Sequence, residues 1–297
     1  MHLQQLAYFV AVAQTRHFTQ AADLSGVSQP SLSKQIRVLE NSLGTPLFVR
    51  DRGGVELTSA GEALLPHAQR ILIDVEAAQR AVHEVAGLRR GLVRVGATPS
   101  LCDAALADGV ARFHQRHPGI DLVVEEGGSR LLAQALVRGR LDVALLIAPL
   151  TDSQDDIVTT PVLRERLVLA SPVDADVPDS MDVADLRDVP LVMFREGYDL
   201  RDVTLMACRR AGFSPRIALE GGEMSAVLRF VETGLGHAVV PSMVLANRPQ
   251  LRGTPLTNPV LERTVAIAHR DVGSMPLAAR AFTEELAEHL AELEQPV

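Results

Sequence analysis

The sequence predicts a multidomain α+β and α/β chain: a helix-turn-helix module with a β-hairpin, one long helix, and a two-lobed α/β domain. Three observations predict it. Residues 1–58 hold three short stretches of helical apolar spacing followed by two strand-like runs around Gly53-Gly54. A long heptad pattern follows from residue 59. From residue 91 onward, short β-rich runs alternate with helical ones. With 297 residues, 47% of them hydrophobic, the chain is long enough for about two domains with real cores.

The formal net charge of −8 is unevenly distributed. Residues 1–90 carry 9 Lys and Arg against 8 Asp and Glu, whereas residues 91–297 carry 20 against 29. A slightly basic N-terminal module can approach a polyanion while the acidic remainder is repelled from it. No apolar run approaches the ~18 residues of a membrane helix. MHLQQLAYFV lacks the basic start and cleavage site of a secretory signal, so a cytoplasmic protein is expected. Cys102 and Cys208 form no CxxC and sit beside no metal-ligand partner, which predicts reduced thiols, no disulfide framework, no metal and no cofactor.

Leu3, Leu6, Phe9, Val10 and Ala13 share one face of a first helix. Thr19 is placed to cap a short second helix, Gln20–Leu24, and Ser25-Gly26-Val27 makes the turn. Ser28 starts a third helix, with Pro30 in its first turn and Gly44 past its end. Leu32, Ile36, Leu39 and Leu43 face a core, which leaves Gln29, Ser33, Lys34 and Arg37 on the opposite side. Gln pairs bidentately with adenine, and Lys or Arg donates to guanine or phosphate, so this face suits a major groove. A polar stripe alone is more often a solvated helix face. The hairpin that follows changes the reading: its tip carries Arg50 and Arg52, which suit a narrow minor groove beside such a helix.

Phe18-Thr19-Gln20-Ala21-Ala22, Val27 through Ile36, Leu39-Glu40, Leu43-Gly44, Leu47-Phe48-Val49-Arg50 and Leu57-Thr58-Ser59-Ala60-Gly61 together resemble the signature of LysR-type regulators in order and spacing. The resemblance implies a winged helix-turn-helix in which Gln29, Pro30, Ser31, Ser33 and Lys34 meet base edges or nearby phosphates. It also implies that Arg50 and Arg52 contact the backbone or minor groove. His17, where Ser or Gly is common, and Asp23-Leu24-Ser25-Gly26 depart from the pattern in detail.

Ser59-Ala60-Gly61-Glu62 has the form of a capping box and opens a helix to about Leu88. Leu64, Ala68, Ile71, Val75, Ala78, Val82 and Val85 form a heptad seam that predicts a dimer contact, with Pro66 bending its start. A face packed on its own chain would show a wider apolar stripe. Two such helices bring two wings to one duplex, hence an operator with two half-sites.

Beyond Gly87 the pattern predicts strand Leu92–Gly96, helix Leu101–Arg116, strand Ile120–Glu125, helix Arg130–Arg138 and strand Leu141–Ile147, the signs of a parallel sheet. A second set uses Arg166–Ala170, Pro190–Phe194, Ile217–Glu220 and Val239–Pro241, and the strand Arg263–Ala268 and helix Ala278–Leu293 return to the first lobe. Gly139-Arg140-Leu141-Asp142-Val143-Ala144 and the run Val231 through Pro241 resemble the periplasmic-binding-protein-like effector domain of the same family. The boundaries that follow are 1–58 for the DNA-binding domain, 59–90 for the linker and 91–297 for the effector domain. Lobe I takes about 91–163 and 266–297, and lobe II about 164–265.

In this architecture ligands sit where strands meet helix starts. Thr98, Pro99, Ser100, Gly128 and Ser129 occupy such junctions, and the alternative for the hydroxyls is plain capping. The resemblance implies effector contact at Thr98 and Ser129 and places the loop Arg195–Tyr198, with Tyr198, on the facing lobe. If the effector is a small organic anion, hydroxyls and helix N-terminal amides can hold its carboxylate or phosphate without a buried cation. The implied partners are promoter DNA, the effector, further copies of the chain in a homodimer or homotetramer, and RNA polymerase. No GxSxG elbow or phosphate loop suggests an enzyme, and His114-x-x-His117 before Pro118 reads as helix-end capping. Peroxide-sensing members of the family use a cysteine pair in the second lobe, where this chain has Cys208 alone.

Overall fold

Burial of Leu6, Phe9 and Val12 fixes the first helix, α1 (Leu3–Thr15), against α2 (Phe18–Leu24) and α3 (Gln29–Leu43). The computed structural model describes residues 1–51, 54–84, 91–150, 156–271 and 275–293, and the chain divides into two units, 1–85 with 138–140, and 86–137 with 141–297. Leu32, Ile36 and Leu39 complete the first core, and the Phe48 ring packs tilted at 5.3 Å from Phe9 and edge-on at 5.8 Å from Phe18. Leu3 and Leu43, expected in that core, are exposed, because each lies at a helix end beyond the reach of the neighbouring helices.

The hairpin consists of β1 (Phe48–Asp51) and β2 (Gly54–Leu57), paired antiparallel from Phe48↔Leu57 to Asp51↔Gly54. Two caps differ from expectation. His17, not Thr19, caps α2 by accepting from the Gln20 N–H at 3.4 Å. Thr58, not Ser59, caps α4 (Ser59–Glu84), accepting from the Gly61 N–H at 3.1 Å. Gly61 is required there, since a Cβ would lie 2.3 Å from the Leu47 carbonyl oxygen.

α4 holds its assignment through Pro66. The first half of the seam faces its own unit: Ala68 is fully buried, and Leu64 and Ile71 pack on the α1–α3 core. Packing on the same chain therefore accounts for these three, which corrects the reading of one uniform dimer seam. Val75 is half-buried and Ala78 exposed. The side chain of Val82, and Val85 altogether, lie outside the described residues.

In the second unit β3 (Gly91–Ala97) leads through α5 (Pro99–Leu101) and a π turn (Cys102–Leu106) into α6 (Ala107–Arg116). Then come β4 (Ile120–Glu126), α7 (Ser129–Val137), β5 (Val143–Ala148) and β6 (Ile157–Pro172). The second lobe contributes β7 (Met181–Asp182), a 3-10 turn, β8 (Leu191–Met193), α8 (Asp199–Arg210), β9 (Ile217–Glu220), α9 (Met224–Glu232), β10 (Ala238–Pro241) and β11 (Leu251–Thr257). β12 (Glu262–Arg270) and α10 (Leu277–Leu293) return to the first.

The sheet is mixed rather than wholly parallel. β4, β3 and β5 run parallel, but β12 and β6 join antiparallel. β6 serves both lobes: residues up to Arg166 pair with β12, and from Leu167 the partners are β10 and β11. The Leu167 N–H donates to the Leu261 carbonyl at 2.8 Å, tying the two interlobe crossings together. Lobe I packs Phe113, Leu145, Ile267 and Phe282 on one sheet face and Leu132, Leu136 and Leu146 on the other. Lobe II centres on Leu169, Val192, Phe194, Val227 and Val240.

Candidate functional site

The polar face of α3 begins at its N-terminus, where Ser28 is extended and Pro30 enters the first turn. Pro30, Ser31, Lys34 and Arg37 are exposed and Gln29 is half-buried. Ser33 differs. It is 5% exposed, and its hydroxyl accepts from Gln29 Nε2 at 3.0 Å, so it orients the Gln29 amide instead of being presented outward. Behind the helix, buried Gln5 donates to Gln35 Oε1 at 3.1 Å and accepts from the His2 N–H at 2.9 Å, tying α1 to α3. Sequence reasoning missed this pair, since a buried Gln carries no periodic signal. Arg50 lies on β1; its side chain, and Arg52, lie outside the described residues.

In the second unit a cavity of about 450 Å³ opens between the lobes. It gathers Thr98, Pro99, Ser100 and Gly128 from lobe I with Tyr198 from lobe II. Thr98 stands at the N-cap of α5 without a side-chain cap bond; its Oγ1 lies 3.4 Å from Ser100 Oγ. Ser129, the first residue of α7, accepts from the Ile147 N–H at 3.1 Å and donates to Asp199 Oδ2 at 3.0 Å. That bond crosses from lobe I to lobe II. Tyr198 caps α8 with its ring stacked on Phe194 at 4.6 Å, and its buried hydroxyl has no partner. Burial, and then the Glu223 charge, push the phenol upward from its ordinary pKa.

Arg263 is the residue the sequence reading missed, a buried cation on the wall of the cavity. It is 8% exposed, lines the cavity and donates through Nη1 to Ser100 Oγ at 2.9 Å. Glu165, its register partner on β6, accepts from Nε at 2.8 Å and also accepts the Met243 N–H at 2.9 Å. The signal was present: Leu163, Glu165, Leu167 and Leu169 alternate onto one buried face, so Glu165 had to be a buried charge in need of a partner. A second cavity of about 280 Å³ lies beside Arg248, which is already paired with Glu232 at 3.1 Å and Asp103 at 3.7 Å. His117, read as a helix-end residue, caps α6 and bonds Glu285 Oε1 at 2.8 Å.

An exposed polar helix face on one unit and an interlobe cavity of mixed polar and apolar lining on the other are the features expected of a ligand-responsive DNA-binding protein. Comparison with known proteins gives the same class. The family of bacterial regulatory helix-turn-helix proteins of the lysR family matches residues 3–62, and the LysR substrate binding domain matches 86–291. The chain is 34% identical to a probable hydrogen peroxide-inducible genes activator from Streptomyces viridosporus, over 98% of this chain and 93% of that one. A full-length OxyR variant from Pseudomonas aeruginosa matches 98% of the chain and 94% of its own at 30% identity and a TM-score of 0.74. CbnR in complex with its target DNA matches 97% and 100% at 25% identity and 0.69.

The chain belongs to the LysR family of transcription regulators. It is a sequence-specific DNA-binding regulator that acts as a homo-oligomer on promoter DNA, under the control of a small-molecule effector bound by its C-terminal domain. The relatives are transcription regulators, and no helix of the described residues is long and apolar enough to cross a membrane.

Proposed function

We propose that Gln29, Pro30, Ser31, Lys34 and Arg37 contact the operator directly, that Ser33 acts by orienting Gln29, and that Arg50 and Arg52 reach the adjacent groove from the wing. Residues 1–58 are the DNA-binding domain, 59–90 the dimerising linker and 91–297 the effector domain. Thr98, Pro99, Ser100, Gly128, Ser129 and Tyr198 bind a small effector that carries an acid group. The protein works in the cytoplasm as a regulator without enzymatic activity. It assembles as a dimer of dimers and touches RNA polymerase at the promoter. Effector binding shifts the population of lobe arrangements and so alters operator binding or bending.

The carrying observation is that Thr98, Ser100 and Tyr198 line one cavity, with Ser129 bonded to its lining residue Asp199, while no side-chain cap bond is made by Thr98. Capping alone does not explain such a set. Peroxide sensing, the property in one relative's name, is opposed by the thiols. Burial and the nearby Glu126 and Asp103 carboxylates push Cys102 up to about 12, and burial also raises Cys208, so neither thiol is a ready nucleophile. The test is a thermal-shift screen of metabolites on the full chain, followed by operator titration with and without each hit. A hit that raises the melting temperature should change operator affinity or bending, and Thr98→Val should weaken that hit while leaving effector-free operator binding intact. If the hits leave operator binding unchanged, the effector assignment fails.

A further inference from the structure

The residues lining the interlobe cavity present two opposite chemistries. Two buried groups lack a hydrogen-bond partner, the Tyr198 hydroxyl and Arg263 Nη2, both on side chains only 8% exposed. Nη2 lies 2.7 Å from Glu165 Oε2, the oxygen that also accepts from Nε, so its charge is paired, but its N–H groups meet no acceptor with hydrogen-bond geometry. Buried donors left unmade are costly, so these groups call for an acceptor from a ligand. Next in sequence to Tyr198, the Asp199 carboxylate is held by the Ser129 hydroxyl and by no cation among the described residues.

Charge decides what kind of acceptor fits. Of the arginines that line the cavity, Arg263 is neutralised by Glu165 and Arg195 by Glu223 at 2.7 Å. The remaining lining charges are Arg130 against Asp199 and Asp202, so the surroundings have no positive excess. A bare organic anion would add negative charge beside Asp199 without compensation. A molecule that brings its own cation removes the conflict.

We propose that the effector is a zwitterion of the α-amino acid type. Its carboxylate accepts from the Tyr198 hydroxyl and Arg263 Nη2, and its ammonium takes over the Asp199 carboxylate from Ser129. Leu131, Ile147, Leu167 and Val203, which also line the cavity, suit an aliphatic side chain. Because the Ser129–Asp199 bond joins the lobes, replacing it makes lobe arrangement depend on the ligand. The proposal rests on the reading of this cavity as the effector site.

The test uses full-length protein with the aliphatic L-amino acids and L-methionine, each beside probes that lack one charge; for leucine these are isocaproate and isoamylamine. Thermal shift and calorimetry should find at least one amino acid that binds about tenfold or more tightly than its acid and its amine. Asp199→Asn should weaken that amino acid about tenfold and leave the acid as tight or tighter. Tyr198→Phe should weaken the amino acid and the acid but not the amine. An acid that binds as well as its amino acid, or full amino-acid affinity in Asp199→Asn, overturns the zwitterion while leaving the cavity as the effector site. Affinity indifferent to Asp199→Asn, Tyr198→Phe and the cavity-blocking Val203→Trp overturns the cavity itself. Absence of binding by every amino acid overturns the proposal.

Discussion

The two units treat buried polar groups in opposite ways. In the N-terminal unit the amides satisfy one another or a hydroxyl: Gln5 with Gln35, Gln29 with Ser33. What remains exposed on α3 is a polar face, at whose start the half-buried Gln29 amide is already oriented by Ser33. In the C-terminal unit the cavity keeps the Tyr198 hydroxyl and Arg263 Nη2 buried and unmatched. A reader of a large rigid polymer gains from preorganisation before contact, whereas a small-molecule sensor must leave specific vacancies that its ligand fills. The unmatched burial is not confined to the cavity, for both ring nitrogens of His289 also lack partners where α10 packs near Gly109.

The comparison is broken most directly at Glu165–Arg263. Arg263→Leu alone should cost the second unit about 3–5 kcal/mol by leaving Glu165 buried and unpaired, while Glu165→Met with Arg263→Leu should stay near wild type. Urea unfolding measures this, and a single-variant loss below ~1 kcal/mol would mean that the pair is solvated. In the first unit Gly61→Ala should cost about 1–3 kcal/mol, because the new methyl meets the Leu47 carbonyl, and operator binding should weaken with it.

Gln29→Ala should lose about 1–3 kcal/mol of discrimination at one base pair, and Ser33→Ala part of the same loss. The double variant should be no worse than Gln29→Ala, since the two act as one unit; additive losses in a competition assay would show that Ser33 contacts DNA by itself. Lys34→Ala should lower the slope of log affinity against log salt by about 1, with little change in base preference. The smallest effect is on pH. Burial lowers the pKa of His237, which bonds Ser171 at 2.7 Å, so its charged form is disfavoured in the fold. The stability is full above the ordinary value of 6.5 and is lost as pH falls below it. His237→Gln should flatten that loss in melting curves taken between about pH 7.5 and 5.5.

Periodicity and glycine punctuation made the element order legible, since apolar spacing and Gly44 report directly on helix faces and ends. Three features escaped for physical reasons. β11 contains Gly253 and Pro255, which argue against a strand until its pairing with β6 and β7 is known. The first half of β6 carries Pro161 at a register shift and polar residues on its outward face, so it does not read as sheet. The heptad in α4 reports that a face is apolar, not which body covers it, and Leu64, Ala68 and Ile71 are covered by their own unit. At the cavity, Thr98, Pro99, Ser100 and Gly128 followed from strand-to-helix junctions. The alternation around Glu165 shows that a buried charge needs a partner, but that the partner is Arg263, and that Asp199 meets Ser129, depended on long-range pairing that no local pattern encodes.

β6 is one uninterrupted strand of 16 residues whose first part belongs to lobe I and whose last part belongs to lobe II. Any turn of one lobe against the other must be taken up as torsion of this ribbon and of the crossing bonded to it at Leu261. Leu167, the residue at which the ribbon changes partners, is also part of the cavity wall. The cavity therefore lies at the fulcrum of a lever, where a small change in angle becomes a large travel at the far edge of either lobe.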